Sequence, residues 1–186
     1  GTEMPLIPFI RDAAGAESVA VEDGNLLIGG AIQENRALTV AIRGGDFAGT
    51  HEMVLRAEAA ATIAESRPLD QQFALLKVAE AAGVTVPRAF WYCGDASVAG
   101  KPFYLMQRIG GEALGIRITR HGAQPDLAAA LGEELSRIHS IRPPQPGLDF
   151  LEGIDASPAL DAIAKYRAYL DEMPEPHPVL EWTLRW

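Results

Sequence analysis

The chain changes its hydrophobic period once, and the change falls at a Gly-Gly pair. Before Gly110-Gly111 most apolar runs are short, rich in β-branched or aromatic residues, and closed by Gly, Asp or Pro; after it, apolar residues recur every three or four positions. Period two belongs to strands and period 3.6 to helices, so the pattern predicts a sheet followed by helices. The β-type runs are residues 18–22 and 26–28 around the turn signal Asp23-Gly24-Asn25, then 31–35, 37–42 and 53–56. Runs this short, each ending in a turn residue, fit antiparallel hairpins. One helix interrupts them. Leu69, Phe73, Leu76 and Ala79 recur at helical spacing over 69–82, Gly83 stands at the C′ position, and Pro87 forbids continuation. Residues 88–93 and 103–109 are aromatic-rich strands flanking the turn-rich connector 94–102. The expected class is α+β: a five-stranded antiparallel sheet with one inserted helix, then helices. Leu127, Leu131, Leu135, Ile138 and Ile141 stripe a helix over 126–141 that Pro143-Pro144 stops. Ser157-Pro158 reads as N-cap and N1 of another, carrying Leu160, Ile163 and Leu170.

Charge and composition remove several function classes. Sixteen Lys+Arg against 25 Asp+Glu leave a net charge of −9 over 186 residues. Nucleic-acid binding needs a basic footprint, so none is expected, although a local pocket for a phosphorylated ligand remains open. No apolar run approaches the ~20 residues of a membrane span, and no membrane partner is expected. The single cysteine, Cys93, rules out an internal disulfide framework and fits a reducing compartment, hence the cytoplasm. Cys93 reads as a small core residue. His51, His121, His139 and His177 have no i,i+4 partner and no neighbouring Cys, so no zinc site is expected. His139, among Leu135, Ile138 and Ile141, reads as a packed helix histidine.

Three strands, a helix, two strands, a short link and then helices is the order of a kinase small lobe entering its large lobe. The strings Gly29-Gly30-Ala31-Ile32-Gln33-Glu34-Asn35, Val54-Leu55-Arg56, Ala82-Gly83-Val84-Thr85-Val86-Pro87, Gly100-Lys101-Pro102-Phe103-Tyr104-Leu105-Met106, Gly110-Gly111 and Leu131-Gly132-Glu133-Glu134-Leu135-Ser136-Arg137-Ile138-His139 follow in that order. Together they resemble the aminoglycoside phosphotransferase-like (choline kinase-like) family of small-molecule kinases, from about Glu17 onward. No single string is specific; the series in register is.

The resemblance implies a protein-kinase-like fold with a short helix or extension over 1–16, a small lobe over 17–109, and the start of a helical large lobe over 110–186. It implies ATP, or GTP in its place, as cofactor and a small-molecule hydroxyl as substrate. Gly29, Gly30, Gln33 and Asn35 would approach the phosphates, since backbone N–H groups without a Cβ come close to phosphate oxygens. Arg56 would take the place of the kinase cation on the third strand, its fork of donors suited to phosphate. The Glu that normally steadies this cation is replaced by Gln72, which keeps an acceptor but loses the charge; Asp70, about 200° away around the helix, cannot substitute. Met106 would lie against the base, with the Gln107 carbonyl and the Ile109 amide as its hydrogen-bond partners. Other readings stay open: a Gly-Gly turn without a ligand, Arg56 on the surface of an edge strand, and Met106 in the core of a central strand.

Two strings imitate catalytic motifs out of place. Gly45-Asp46-Phe47-Ala48 precedes the third strand, and His121-Gly122 is followed by Ala123. Phosphoryl transfer needs a carboxylate base with Asn and Asp ligands for Mg²⁺. In the family these come as H-x-D-x-x-x-x-N and D-x-D after a Trp-containing helix, which residues 178–186 resemble; neither string occurs in the chain. The expectation is a nucleotide-binding half without catalytic residues or metal ligands of its own. Its open apolar surface is expected to self-associate. The alternative is a non-catalytic, pseudokinase-like nucleotide-binding or interaction module.

Overall fold

The computed structural model describes residues 5–26, 33–58, 66–112, 114–120, 122, 125–151, 153 and 157–185. Gly1–Leu148 forms one compact unit and Asp149–Trp186 a second. The first holds a helix α1 (Leu6–Ala14), strands β1 (Ser18–Leu26), β2 (Gln33–Arg43) and β3 (Gly49–Glu58), helix α2 (Leu69–Ala81), strand β4 (Ala89–Cys93), a short helix α3 (Ala96–Ala99), strand β5 (Phe103–Gln107) and helices α4 (Gly115–Arg120) and α5 (Pro125–Ser140). The second carries α6 (Pro158–Asp171) and α7 (Pro178–Thr183).

The five strands form one sheet in the order β1-β2-β3-β5-β4, every neighbouring pair antiparallel. The architecture expected from the period change is therefore present. β3 lies at the centre of the sheet, so the edge-strand reading of Arg56 fails. Asp23-Gly24-Asn25 is not a turn: β1 runs through it, and the irregularity shows only as a register shift between Asp23 and Leu26. The described part of the run at 31–35, residues 33–35, likewise joins 37–42 within β2. A turn signal inside a long ladder is overridden when the partner strand supplies hydrogen bonds on both sides of it.

Alternation along the strands sends Leu38, Val40 and Ile42 of β2, Met53 and Ala57 of β3, and Phe103 and Leu105 of β5 to one face. α1 covers that face. Leu6, Ile10 and Ala14, one turn apart, are buried there, and Phe9 meets Phe103 edge-on with centroids 5.5 Å apart. Pro8 is tolerated because it lies in the first turn, where its missing N–H would have no partner anyway. Gly15, in the left-handed conformation, closes the helix, and Ala16 N–H returns to the Arg11 carbonyl. The end of α1 packs so closely on the β2–β3 connection that a Cβ on Gly45 would lie 2.7 Å from the Gly15 carbonyl oxygen. The Gly45-Asp46-Phe47 string is thus a packing device.

α2 ends as the sequence expects: Gly83 has φ +80° and Val84 N–H bonds the Ala79 carbonyl at 3.0 Å. Its Phe73 packs on Tyr104 and Tyr92 of the opposite sheet face, at 5.8 and 6.2 Å. α3 lies inside the stretch that reads as a connector; Asp95 caps it by accepting from Ser97 N–H at 2.8 Å. At α6, Ser157 occupies the cap position, but its hydroxyl makes no capping bond. The α5 stripe is exposed, Leu131 at 63% and Leu135 at 52%, and His139 stands in solvent rather than packed. α5 is tied to the rest of its unit by Glu134, whose carboxylate accepts from the Thr85 N–H at 2.9 Å and the Thr85 hydroxyl at 2.5 Å.

Two outcomes follow from this packing. Gly45→Ala combines a positive φ with a backbone clash and is expected to cost about 2 kcal/mol or more in urea unfolding; an unchanged midpoint would mean that α1 is not seated there. The hydrogen bonds from Thr85 hold the Glu134 carboxyl below its usual range, with Arg137 adding to them. A group with a depressed folded pKa contributes stability above its unfolded pKa of ~4.3 and loses it as pH falls through the folded value. Glu134→Gln should therefore lower stability at pH 7, and the gap to the parent should close below about pH 4.

Candidate functional site

The sheet face opposite α1 carries the expected residues in register. Asn35 of β2 pairs with Arg56 of β3, Arg56 with Tyr104 of β5, and Tyr104 with Tyr92 of β4. Four side chains thus line up across four strands in one row. The adjacent row, two residues along, is Ala37, Val54, Met106 and Ala89. One row is polar and the next is apolar and small: the two surfaces that a phosphate chain and a flat base require, about 7 Å apart along the strands.

The polar row is unsatisfied. Asn35 Oδ1 and Arg56 Nε are buried atoms without a hydrogen-bond partner, and no other side-chain atoms of the described residues share that condition. Leaving such a group bare costs about 1–3 kcal/mol, so two neighbours in one row mark a place where a ligand would repay the fold. Arg56 has no ion-pair partner among the described residues. Burial pushes the Tyr104 hydroxyl up, and the Arg56 charge beside it works against that rise. Gln72, on α2, turns its amide to the Arg67 carbonyl at 2.6 Å.

The strand ends bring the remaining candidates to one edge. Gln107 N–H bonds the Arg88 carbonyl at 2.8 Å, while the returning Arg88 N–H goes to the Gln107 side-chain oxygen at 3.2 Å. Arg108 N–H bonds the Glu52 carbonyl, which ends the pairing of β5 with β3. Ile109 follows, 58% exposed, and its N–H makes no hydrogen bond among the described residues. Met106 of the apolar row is only partly buried. Gly29 and Gly30 lie outside the described residues, and of Gln33 only the backbone pairing with Glu58 is described.

Lys101 is a residue that motif reasoning misses. Its ammonium bonds Glu34 at 2.9 Å and the Glu58 carbonyl at 2.9 Å. It ties β2 one residue before Asn35 and β3 two residues after Arg56, so the two strand ends that carry the polar row are held together. A lone Lys beside Pro102 carries no sequence signal for this. No group of three or more His, Cys, Asp or Glu placed to hold a metal occurs among the described residues.

A sheet of this order with a helix inserted after β3, a polar and an apolar row on one face, and helices beyond is the kinase-like fold of small-molecule phosphotransferases. The family model of the phosphotransferase enzyme family (APH) matches residues 30–186, and the chain belongs to that family. The crystal structure of a candidate aminoglycoside phosphotransferase from Ralstonia eutropha superposes with a TM-score of 0.65 at 19% identity, over 99% of this chain and 52% of that one. At that identity the likeness concerns the fold. Acyl-CoA dehydrogenase family member 10 of Mus musculus is 32% identical over 97 residues, 48% of this chain and 9% of that protein. Acyl-CoA dehydrogenase family member 11 of Pongo abelii is 31% identical over 81 residues, 41% and 10% respectively. The chain thus spans about a tenth of those relatives' length, and half of the solved structure. No helix among the described residues is long and apolar enough to cross a membrane.

The polar row makes a prediction of its own. Arg56→Met replaces a half-buried, unpartnered guanidinium by an apolar chain of similar reach. It should leave stability unchanged or raise it by about 1 kcal/mol in chemical denaturation; a large loss would show that Arg56 serves the fold.

Proposed function

We propose that the face carrying Asn35, Arg56 and Met106 binds ATP, and that the chain supplies the nucleotide-binding half of a phosphotransferase acting on a small-molecule hydroxyl. The observation that carries the reading is Arg56 Nε, a buried donor without an acceptor beside an apolar row; Asn35 next to it could meet a phosphate only through its amide nitrogen, not through its orphaned Oδ1. The triphosphate would lie along the polar row with Arg56 as its cation, steadied by Asn35 and the Gly29–Gly30 turn. The base would lie on Ala37, Val54 and Met106, read by the Gln107 carbonyl and the Ile109 N–H. Backbone groups do that reading, so GTP is the competitor to test beside ATP. Family membership supports the reaction type. The catalytic carboxylate and the Mg²⁺ ligands would come from residues outside this sequence, which has no H-x-D-x-x-x-x-N string. Phosphoryl transfer by these residues alone is therefore not expected.

Gln72 favours a second reading, that of a nucleotide-binding module without turnover. A Glu at its place would pair with the cation; Gln72 instead has its amide on Arg67, and Arg56 is left without an acidic partner among the described residues. The longer protein, given ATP and Mg²⁺, separates the two: hydrolysis or transfer supports the enzyme, and binding without turnover supports the module.

Binding itself is tested on the folded chain. Ligand at a hundred times its dissociation constant adds about 2.7 kcal/mol, a rise of several degrees in Tm. ATP should raise Tm more than adenosine, and Arg56→Met should abolish that excess while leaving the adenosine shift. No shift at millimolar ATP or GTP, in a sample with a cooperative unfolding transition, would overturn the nucleotide site.

A further inference from the structure

The strand ends carry a second polar feature that nucleotide binding does not use. β4 contains a bulge: Ala89 pairs with Met106 and Trp91 with Leu105, with Phe90 inserted between them. An inserted residue turns successive side chains to the same side. Phe90 and Trp91 accordingly both reach Phe47 of the β2–β3 connection, at 6.3 and 5.0 Å. Arg88, two residues before Phe90, lies over this aromatic group with its guanidinium 5.2 Å from both the Phe47 and the Phe90 ring centres. Two ring faces fix the plane of the guanidinium and leave its edge of N–H donors unused. Arg88 is exposed and has no ion pair among the described residues.

That edge borders an open hollow of about 250 Å³ lined also by Phe90, Gln107, Arg108, Thr50, His51 and Glu52. The charges there are two arginines against one carboxylate. Glu52 is already engaged, accepting from the Thr39 hydroxyl at 3.0 Å and meeting Arg108 at 3.5 Å. One positive charge is therefore left over, in a chain whose net charge is −9. Elsewhere the exposed guanidinium groups Arg108, Arg117 and Arg137 each face a carboxylate. Arg88 instead has its main chain stapled on both sides to Gln107 and its side chain stacked, an arrangement that orders a cation without neutralising it.

We propose that this hollow is a binding site for a small oxyanion, a carboxylate or phosphate group, with the Arg88 fork as its main contact. Arg108 is the supporting charge and Phe90 the apolar wall. A planar fork and a carboxylate or phosphate pair through two parallel N–H···O bonds, which a bare ammonium cannot reproduce. The hollow sits at the strand ends and takes residues of both sheet faces, His51 and Phe90 from the α1 side and Thr50 and Glu52 from the other. None of Asn35, Arg56 and Met106 lines it, so the site does not rest on ATP binding.

The test uses the folded chain labelled with ¹⁵N, titrated separately with inorganic phosphate and with benzoate at constant ionic strength. The expected result is a saturable shift of the Arg88 Nε–H resonance and of the Trp91 indole with one or both probes, and the probe that saturates identifies the oxyanion. Arg108→Met should weaken the dissociation constant severalfold, and Arg88→Met at least tenfold. Should Arg88→Met disturb the aromatic cluster, Arg88→Lys keeps the charge and loses the fork; it too should bind at least fivefold more weakly. Linear, non-saturating shifts with both probes would overturn the site. So would an Arg88→Lys chain that binds as tightly as the parent.

Discussion

The ladder between β2 and β3 is the constraint on which the rest depends. It runs without a shift from Gln33 opposite Glu58 to Ile42 opposite Gly49. In an antiparallel pair a slip of one residue would send every side chain to the other face. A β2 slipped by one residue would turn Asn35 to the α1 side and Leu38, Val40 and Ile42 away from it, burying a polar group and exposing three apolar ones. The register that buries the apolar set against α1 is the same register that sets Asn35 beside Arg56. Core packing thus aligns the candidate phosphate row, and no residue of that row needs to contribute stability for the row to form.

The two sheet faces are built by different means. On the α1 side, helix and sheet interlock through large side chains, and the Gly45 backbone lies against the last carbonyls of α1. On the other side α2 meets the sheet through Phe73, on Tyr92 and Tyr104, and through Glu80, whose carboxylate accepts from the Ala89 N–H at 3.3 Å. The polar row between that contact and the strand ends is left with bare acceptor and donor atoms. A fold commonly stores such unfavourable groups where it acts, and the tightly packed opposite face supplies the stability that tolerates them. Lys101 belongs to the same logic, since it fastens the ends of β2 and β3 from the connection that leads into β5.

Most of the sheet was legible from sequence because its signals are local: alternation, Gly and Pro punctuation, and the Gly83 stop on α2. The failures share one cause. Asp23-Gly24-Asn25 carries turn residues yet lies within β1, because Leu38 and Arg36 on β2 hold both of its flanks. The bulge at Phe90, the Lys101 tie and the Glu134–Thr85 link are equally invisible, since each depends on residues from 14 to 67 positions away. His139 reads as packed because its neighbours at i−4 and i−1 are apolar, but those neighbours are themselves exposed, so the stripe offers no core to join. Of the candidate site, Asn35, Arg56 and Met106 could be placed from strand parity alone. That Arg56 and Asn35 are unpartnered could not, because an absent contact leaves no pattern in a sequence.

The replacement of a carboxylate by Gln72 bears on how the cation is held. A Glu would neutralise Arg56 in the free protein and would have to be shared with a ligand's phosphates on binding. With Gln72 bonded to Arg67 and no acid paired with Arg56 among the described residues, Arg56 stands as an unneutralised positive charge at the centre of the sheet, next to Tyr104. An unneutralised, half-buried guanidinium attracts an anion more strongly than a paired one, because no ion pair must first be broken. The same absence removes a charged link between α2 and the cation; the described contacts of α2 with this face are those of Phe73 with Tyr92 and Tyr104 and of Glu80 with the Ala89 N–H. Under the proposed nucleotide reading, the arrangement would favour holding a phosphate over sensing it, and Arg56 rather than the position of α2 would set how strongly this face binds.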